Sequence, residues 1–222
     1  MKALFVALLL ITAGQARADI EPQQAEPEYC DINQLKAVEI KSAVSGLKSL
    51  HGYQIGRVLV TGLAVGNSNA TALIKYDTHY SNTSSADKYC TWYFNDGNSQ
   101  AKKAFNWHYL NKPTSTKVVN EYVTQVGAIL DSNAINMVDC AERKRFIAMG
   151  CDGMKHRGPT VFGMFLAYSG CSAKSATKIV NAIWGTNGIP TSVREQLSQK
   201  AYELGQAHSD KSSRLRTQLL AN

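Results

Sequence analysis

The chain has 222 residues, 44% of them hydrophobic, and a formal net charge of +7. This composition excludes a disordered chain, a collagen-like repeat and a multi-span membrane protein, and it fits one large or two small globular domains. The spacings typical of a zinc centre, a redox Cys-x-x-Cys pair or a glycine-rich phosphate loop are absent from the sequence. We therefore predict no metal and no cofactor.

The first 18 residues are predicted to be a secretory signal peptide. Lys2 precedes an apolar run, Ala3–Thr12, and Ala16-Arg17-Ala18 is a small-x-small cleavage triplet. The run is shorter than the roughly 20 residues that span a bilayer, so no integral membrane span is expected. We expect a mature chain that starts at Asp19, has a flexible acidic lead-in over residues 19–29, and is periplasmic or secreted.

Residues 30–112 are predicted to form a helix packed on a small antiparallel sheet. Asp31 is typical of an N-cap, and apolar residues continue at helical spacing from Ile32 to Leu50. Alternating or β-branched runs predict three to five strands, and Asp96-Gly97 predicts a hairpin turn before the last of the runs. These runs are Tyr53–Thr61, Ala70–Tyr76, Tyr89–Phe94 and Ala104–Tyr109.

Residues 113–222 are predicted to be a mainly helical subdomain after a short polar connector. Apolar stripes predict five helices and a short last one. The first two helices are expected over Val118–Leu130 and Met137–Ala148, and the third starts at Pro159. The fourth is capped by Ser172 and stops at Gly185, and the fifth opens with a capping box from Ser192 to Glu195. The short last helix holds Leu215 and Leu219. The expected fold class is α+β, with an N-terminal helix plus a small antiparallel sheet, followed by a mainly α-helical C-terminal half.

All five cysteines lie after the predicted signal peptide, where an oxidising compartment favours two disulfides and one free thiol. A helix over Met137–Ala148 would hold Cys140 and Cys151 roughly 16 Å apart. That separation is beyond the Cα limit of about 7 Å for a disulfide. We therefore predict the pairs Cys151–Cys171 and Cys30–Cys90, with Cys140 left over.

Two basic triplets are the candidate binding residues: Arg143-Lys144-Arg145 and Lys155-His156-Arg157. The second triplet enters an apolar helix, whose N-terminus favours an anion. Residues 112–222 carry 14 Lys and Arg against 8 Asp and Glu. The expected partner is therefore an acidic protein or an anionic envelope surface, whereas nucleic acid would rest on charge alone and is disfavoured. The alternative is a solvated charged face beside a disulfide-bonded turn.

No catalytic motif stands out in the sequence. The leading hypothesis is therefore an exported, non-enzymatic binding protein, such as an inhibitor, an immunity-type protein or an accessory component of an envelope or secretion machine. The alternative is a hydrolase of an envelope polymer, with a site assembled from dispersed residues. A deep cleft that holds convergent carboxylates or a Cys–His pair would favour the hydrolase.

Overall fold

A computed structural model of the chain describes residues 25–40, 50–62, 89–95, 106–110, 112–113, 119–128, 130–131, 146–151 and 153–220. These residues form a mixed sheet and helices, most of which follow the last strand, and the α+β class is confirmed. Several predicted features lie outside the described residues: the signal peptide 1–18, the strand Ala70–Tyr76, the Asp96-Gly97 turn, Cys140 and the triplet Arg143-Lys144-Arg145.

The described residues contain six strands: β1 Lys36–Ile40, β2 Leu50–Ile55, β3 Val58–Thr61, β4 Tyr89–Asn95, β5 Asn106–Tyr109 and β6 Phe146–Cys151. They lie in one sheet in the order β1-β2-β3-β6-β4-β5. β2 is antiparallel to both β1 and β3, whereas β3, β6, β4 and β5 run parallel. The sheet is therefore mixed and not purely antiparallel, and β6 lies in its parallel half.

Five α-helices lie in the described residues: α1 over residues 119–131, of which 129 is not described, α2 Arg157–Tyr168, α3 Ala173–Trp184, α4 Thr191–Ala207 and α5 Ser209–Leu215. A π-helical turn, Arg216–Leu220, continues α5. Every residue of α2 from Gly158 to Tyr168 is buried. α2 is therefore the central helix, between the sheet on one side and α3 and α4 on the other.

Local helix signals are confirmed at both ends of α3. The Ser172 hydroxyl accepts a hydrogen bond of 3.2 Å from the Ser175 amide, and Gly185 ends the helix with a φ of +67°. The predicted capping box at the start of α4 is wrong. Pro190 is the N-cap there, and Ser192 lies inside the helix without capping it.

The core forms where one face of the sheet meets α2. Its sheet side includes Val58, Val60, Phe94, Ile147 and Met149, and its helix side includes Val161, Phe162, Phe165 and Leu166. All are at most 2% exposed. Burying a side chain of this size contributes about 1.5–3 kcal/mol, so this contact holds α2 firmly against β6.

The predicted N-terminal helix is wrong in its described part. Asp31 caps only a 3-10 turn, Ile32–Gln34, and the chain then enters β1. β1 pairs with β2, which begins at Leu50. Sheet pairing overrides helix propensity here, because propensity is a weak preference that tertiary contacts commonly outweigh.

The predicted helix over Met137–Ala148 is also wrong in its described part, because Phe146–Cys151 is strand β6. A buried parallel strand is apolar on both faces, so periodicity does not separate it from a buried helix. The strand predicted at Ala104–Tyr109 is confirmed as β5, but it runs parallel to β4. The two are therefore not the antiparallel pair that a hairpin turn at Asp96-Gly97 would make.

The disulfide predictions are wrong as well. Cys30 is bonded to Cys171, with a Cα–Cα distance of 5.4 Å, and Cys151 is a buried free thiol. Cys151 precedes the 12-residue helix α2 and Cys171 follows it, so the helix separates them by roughly 18 Å. That length rules out the pair Cys151–Cys171.

The bridge attaches the segment before β1 to the far end of α2. The Tyr29 hydroxyl donates to the Ser169 carbonyl, and the Glu26 carboxylate accepts a hydrogen bond of 3.1 Å from the Ser172 amide. Burial raises the pKa of Tyr29 to about 12. In the described part of the chain, no helix is long and apolar enough to cross a membrane.

Candidate active site

The loop between β6 and α2 lies at the carboxyl edge of the parallel strands. Cys151 is the last residue of β6 and Arg157 is the first of α2, and residues 152–156 join them. β3 and β4 flank β6 and run in the same direction. Ligands of open sheets with parallel strands bind in the crevice outside this edge, so the loop is placed where a site is expected.

Cys151 is held against the first turn of α2. Its side chain is buried, and its Sγ accepts a hydrogen bond of 3.2 Å from the Gly158 amide. The first N–H groups of a helix have no partner within the helix and carry partial positive charge. In α2, the Gly158 N–H therefore finds its partner in the Cys151 sulfur and not in a backbone carbonyl.

The loop is shaped by Gly158 and Met154. A Cβ at Gly158 would lie 2.5 Å from Met154 Sδ and 3.1 Å from the Cys151 amide nitrogen, so glycine is required for this close approach. Met154 has a φ of +47°, a left-handed conformation that is uncommon outside glycine. Its buried side chain packs over Gly158, and this contact supports the tight turn of the loop.

Arg194 holds the loop from within the protein. Its side chain is 2% exposed and donates hydrogen bonds to the Asn181 amide oxygen, to the Gly185 carbonyl at 2.6 Å and to the Lys155 carbonyl at 3.5 Å. A trans peptide directs its C=O and N–H in opposite directions. Attraction of the Lys155 carbonyl toward Arg194 therefore turns the His156 amide away from Arg194.

Tyr122 brings a second buried polar group from α1. Its hydroxyl interacts electrostatically with Cys151, Arg157 and Arg194, and burial raises its pKa. The Tyr122 hydroxyl and the Arg194 Nε are buried and have no hydrogen-bond partner among the described residues. Unpaired buried polar groups cost free energy and are rare. Their presence near the Cys151 thiol makes this volume a candidate functional site.

Basic side chains lie in and around the loop between β6 and α2. Burial lowers the pKa of His156, and the neighbouring charges of Lys112, Arg157 and Lys155 lower it further, against a hydrogen bond to the Asn187 backbone. Lys155 and Lys112 are exposed, whereas His156 and Arg157 are partly buried. These side chains create an electrostatic attraction for an anion at the helix N-terminus.

The structure thus brings one of the two predicted triplets, Lys155-His156-Arg157, to this loop. Four further residues join it that the sequence analysis did not assign to a site: Lys112, Tyr122, Cys151 and Arg194. A strand that ends in cysteine, a short loop and a basic residue opening a helix form a local signal that could have found Cys151. Tyr122 and Arg194 come from other helices and have no such signal.

A second polar cluster lies at the other end of α2. The Asp131 carboxylate receives hydrogen bonds from Lys211 Nζ, at 3.0 Å to each oxygen, and from the Tyr168 hydroxyl at 3.3 Å, and it contacts His208 Nδ1. Burial acts against ionisation of Asp131, but the His208 and Lys211 contacts outweigh it and lower the pKa. The cluster links the end of α1 to α2 and α5.

Among the described residues, no group of three or more His, Cys, Asp or Glu side chains could hold a metal ion. No protein-family model matches the chain, and no curated protein matches it. Fold alone does not determine function, which depends on the residues of the site.

Proposed function

We propose that the protein is a hydrolase of phosphate monoesters that uses Cys151 as its nucleophile. The carrying observation is the placement of the Cys151 thiol. It lies at the carboxyl edge of the parallel strands and receives a helix N-terminal N–H, and the loop that follows it carries Lys155, His156 and Arg157. A phosphoryl group suits this setting because N–H groups at helix N-termini and Arg side chains bind its oxygens.

In the proposed reaction, the Cys151 thiolate attacks phosphorus. An S–P bond forms and the ester P–O bond breaks, and the leaving oxygen takes up a proton from water and departs as the alcohol. A water molecule then attacks the phosphorus, gives up a proton to solvent, and breaks the S–P bond. Inorganic phosphate leaves and the thiolate is restored, so the sum is ester plus water to alcohol plus phosphate.

The surrounding residues have separate roles in this proposal. Arg157 binds the phosphoryl oxygens and stabilises their charge in the transition state. Lys155 and Lys112 attract the dianion to the mouth of the loop. Arg194 is a positioning residue, because it contacts the Lys155 carbonyl and not the substrate.

The exported binding protein predicted from sequence remains a second proposal, supported by the same basic residues. It uses the anion site but assigns no role to the buried thiol of Cys151, and for that reason the hydrolase is favoured. For either activity we propose action in the periplasm or outside the cell. The signal-peptide pattern in the sequence and the Cys30–Cys171 bridge support export, because disulfides persist in oxidising compartments.

The test is turnover of p-nitrophenyl phosphate by the purified mature chain and by Cys151→Ser, with 31P NMR of acid-quenched enzyme to detect the S–P intermediate. We expect the variant to lose at least about 1,000-fold in turnover, because removing a catalytic nucleophile costs several orders of magnitude, and to keep its cooperative unfolding. Equal turnover by the variant would exclude Cys151 as nucleophile. Phosphate binding without turnover by either protein would favour the binding protein.

Matched lysine variants test the anion site under both proposals. Lys155→Ala should weaken phosphate binding severalfold, because it removes a cation from the mouth of the loop. Lys178→Ala is the control, since Lys178 is an exposed lysine on α3. Equal effects of the two substitutions would show that only the net charge of the protein matters.

A further inference from the structure

A cavity of about 360 Å³ lies beside the Cys151 loop. It is formed by the edges of β1, β2 and β3, by Met154 from the loop and by Trp184 from the end of α3. Met154 therefore belongs to both places, since it packs on Gly158 beneath Cys151 and also lines the cavity.

The strand register sets the spacing between the cavity and Cys151. Glu39 pairs with His51, and Gly52 pairs with Thr61, so the next position places His51 opposite Gly62. Val60 pairs with Met149, and the same register, continued one residue past the end of β3 at Thr61, brings Gly62 level with Cys151.

The resulting row, Glu39, His51, Gly62 and Cys151, shares one face of the sheet. With strands about 4.8 Å apart, His51 and Cys151 are roughly 10 Å apart between their Cα atoms. Gly62 lies between them and has no side chain. In this row, therefore, no side chain of β3 stands between His51 and Cys151.

Two of the residues that line the cavity, Tyr53 and Trp184, are aromatic and pack against each other. Tyr53 and Trp184 meet edge to face, with ring centroids 5.5 Å apart, and Trp184 also contacts Phe162 at 5.9 Å. Rings of this kind prefer another ring as neighbour, and a methionine sulfur such as that of Met154 also contacts rings favourably. These walls suit a flat aromatic group.

The outer rim of the cavity is polar. Glu39 and His51 are exposed there, on the edge strand β1 and on β2. The Glu39 carboxylate at the far end of the row from Cys151 attracts a positive charge. A ligand that reaches from Cys151 to Glu39 therefore has a phosphoryl group at the Cys151 end, an aromatic ring in the middle and a positive charge at the Glu39 end.

From this arrangement we infer that the cavity is the subsite for the organic part of the substrate, and that it selects an aryl phosphate carrying a positively charged substituent. The inference rests on the proposed function, since it places the phosphoryl group at Cys151. It goes beyond that function because it assigns the ester class and gives roles to Tyr53, Trp184 and Glu39.

The first experiment compares kcat/KM for four esters: phenyl phosphate, O-phosphotyramine, the phosphate of 4-hydroxyphenylpropionate, and glycerol phosphate. In the unchanged protein we expect a higher kcat/KM for the aryl esters than for glycerol phosphate. Trp184→Leu should lower that ratio by about three- to tenfold, the range of one aromatic contact. Tyr202→Leu is the control, because Tyr202 is a partly buried aromatic residue on α4 outside the cavity wall. An equal loss for aryl and alkyl esters in Trp184→Leu would overturn the aromatic subsite.

The second experiment tests the rim. Glu39→Gln leaves an exposed side chain of the same shape and should not alter folding. We expect it to abolish a two- to fivefold preference for the tyramine ester over the propionate ester, which is the size of an exposed ion pair. A preference that survives this substitution would overturn the role of Glu39.

Calorimetric binding of phosphotyramine and glycerol phosphate to Cys151→Ser separates the two proposals. Tighter binding of phosphotyramine that Trp184→Leu abolishes supports the subsite, whatever the turnover of Cys151→Ser. Equal binding of both esters would overturn the subsite even if turnover depends on Cys151.

Discussion

The Gly158 amide donates a hydrogen bond of 3.2 Å to the Cys151 sulfur, so the first turn of α2 is attached directly to the end of β6. The bond joins residues seven positions apart in sequence, across a loop with a left-handed residue, Met154. Loop shape and thiol environment are therefore one feature, and a change in either alters the other.

Gly158→Ala should disturb both the shape of the loop and the environment of the Cys151 thiol. Its Cβ would lie 2.5 Å from Met154 Sδ, so the methionine must move, at a cost of about 1–3 kcal/mol in the free energy of unfolding. Chemical denaturation measures that cost, and p-nitrophenyl phosphate turnover should fall with it. Gly153→Ala is the control, because its Cβ would approach nothing closer than the Lys155 side chain at 3.9 Å. Equal stability of the two variants would contradict the packing argument.

Inorganic phosphate should raise the pKa of His156. Burial and the charges of Lys112, Arg157 and Lys155 hold that pKa below its ordinary value. A bound dianion offsets those charges and favours the protonated ring. NMR titration of the imidazole with and without phosphate measures the change. His208, at the far end of α2, is the internal control, and an equal response of both histidines would argue against a local site.

Loss of the Cys30–Cys171 bridge should lower the free energy of unfolding by about 2–5 kcal/mol. The bridge closes a loop across a sequence separation of 141 residues, so its removal releases much of the unfolded chain. The double variant Cys30→Ala with Cys171→Ala, measured by urea unfolding, gives the value. Turnover by the folded variant should persist, since the bridge lies at the opposite end of α2 from Cys151. Loss of turnover without loss of stability would contradict this separation.

Asp131→Asn should destabilise the protein at neutral pH by less than about 1 kcal/mol, because the carboxylate is partly exposed. The folded-state pKa of Asp131 is lowered, so the ionised form stabilises the fold above the ordinary value of 3.8. That stabilisation is lost as the pH falls through the lowered pKa. Unfolding of both proteins across this pH range should show the curves converging in acid. A constant difference at all pH values would exclude the ionic contribution.

The helices after Pro159 could be predicted from sequence because their signals are local. Ser172 caps α3 through its own hydroxyl, and Gly185 ends it through its own φ. The strands that pair with distant segments are harder to predict from the sequence. Val38 on β1 fits a helical stripe as well as a strand, and only pairing with β2 decides between them.

Only part of the candidate site could be predicted from the sequence. Lys155-His156-Arg157 at a helix N-terminus is a pattern of neighbours in sequence. Interpreting the apolar run before Cys151 as a helix excludes Cys140 as its partner and leaves Cys171. The helix that the sequence predicts from Pro159 already separates Cys151 from Cys171, so its length excludes this pair as well. Tyr122 and Arg194 reach the loop only through helix packing, which depends on the tertiary fold.

The pairing of Cys30 with Cys171 joins the first cysteine of the chain to the last, past Cys90, Cys140 and Cys151. A chain that crosses a membrane N-terminus first presents those three thiols to an oxidising enzyme before Cys171 arrives. Pairing in order of emergence would bond Cys30 to the wrong partner and could consume Cys151. Maturation in an oxidising compartment would therefore depend on a disulfide isomerase, or on a delay in oxidation until α2 has formed.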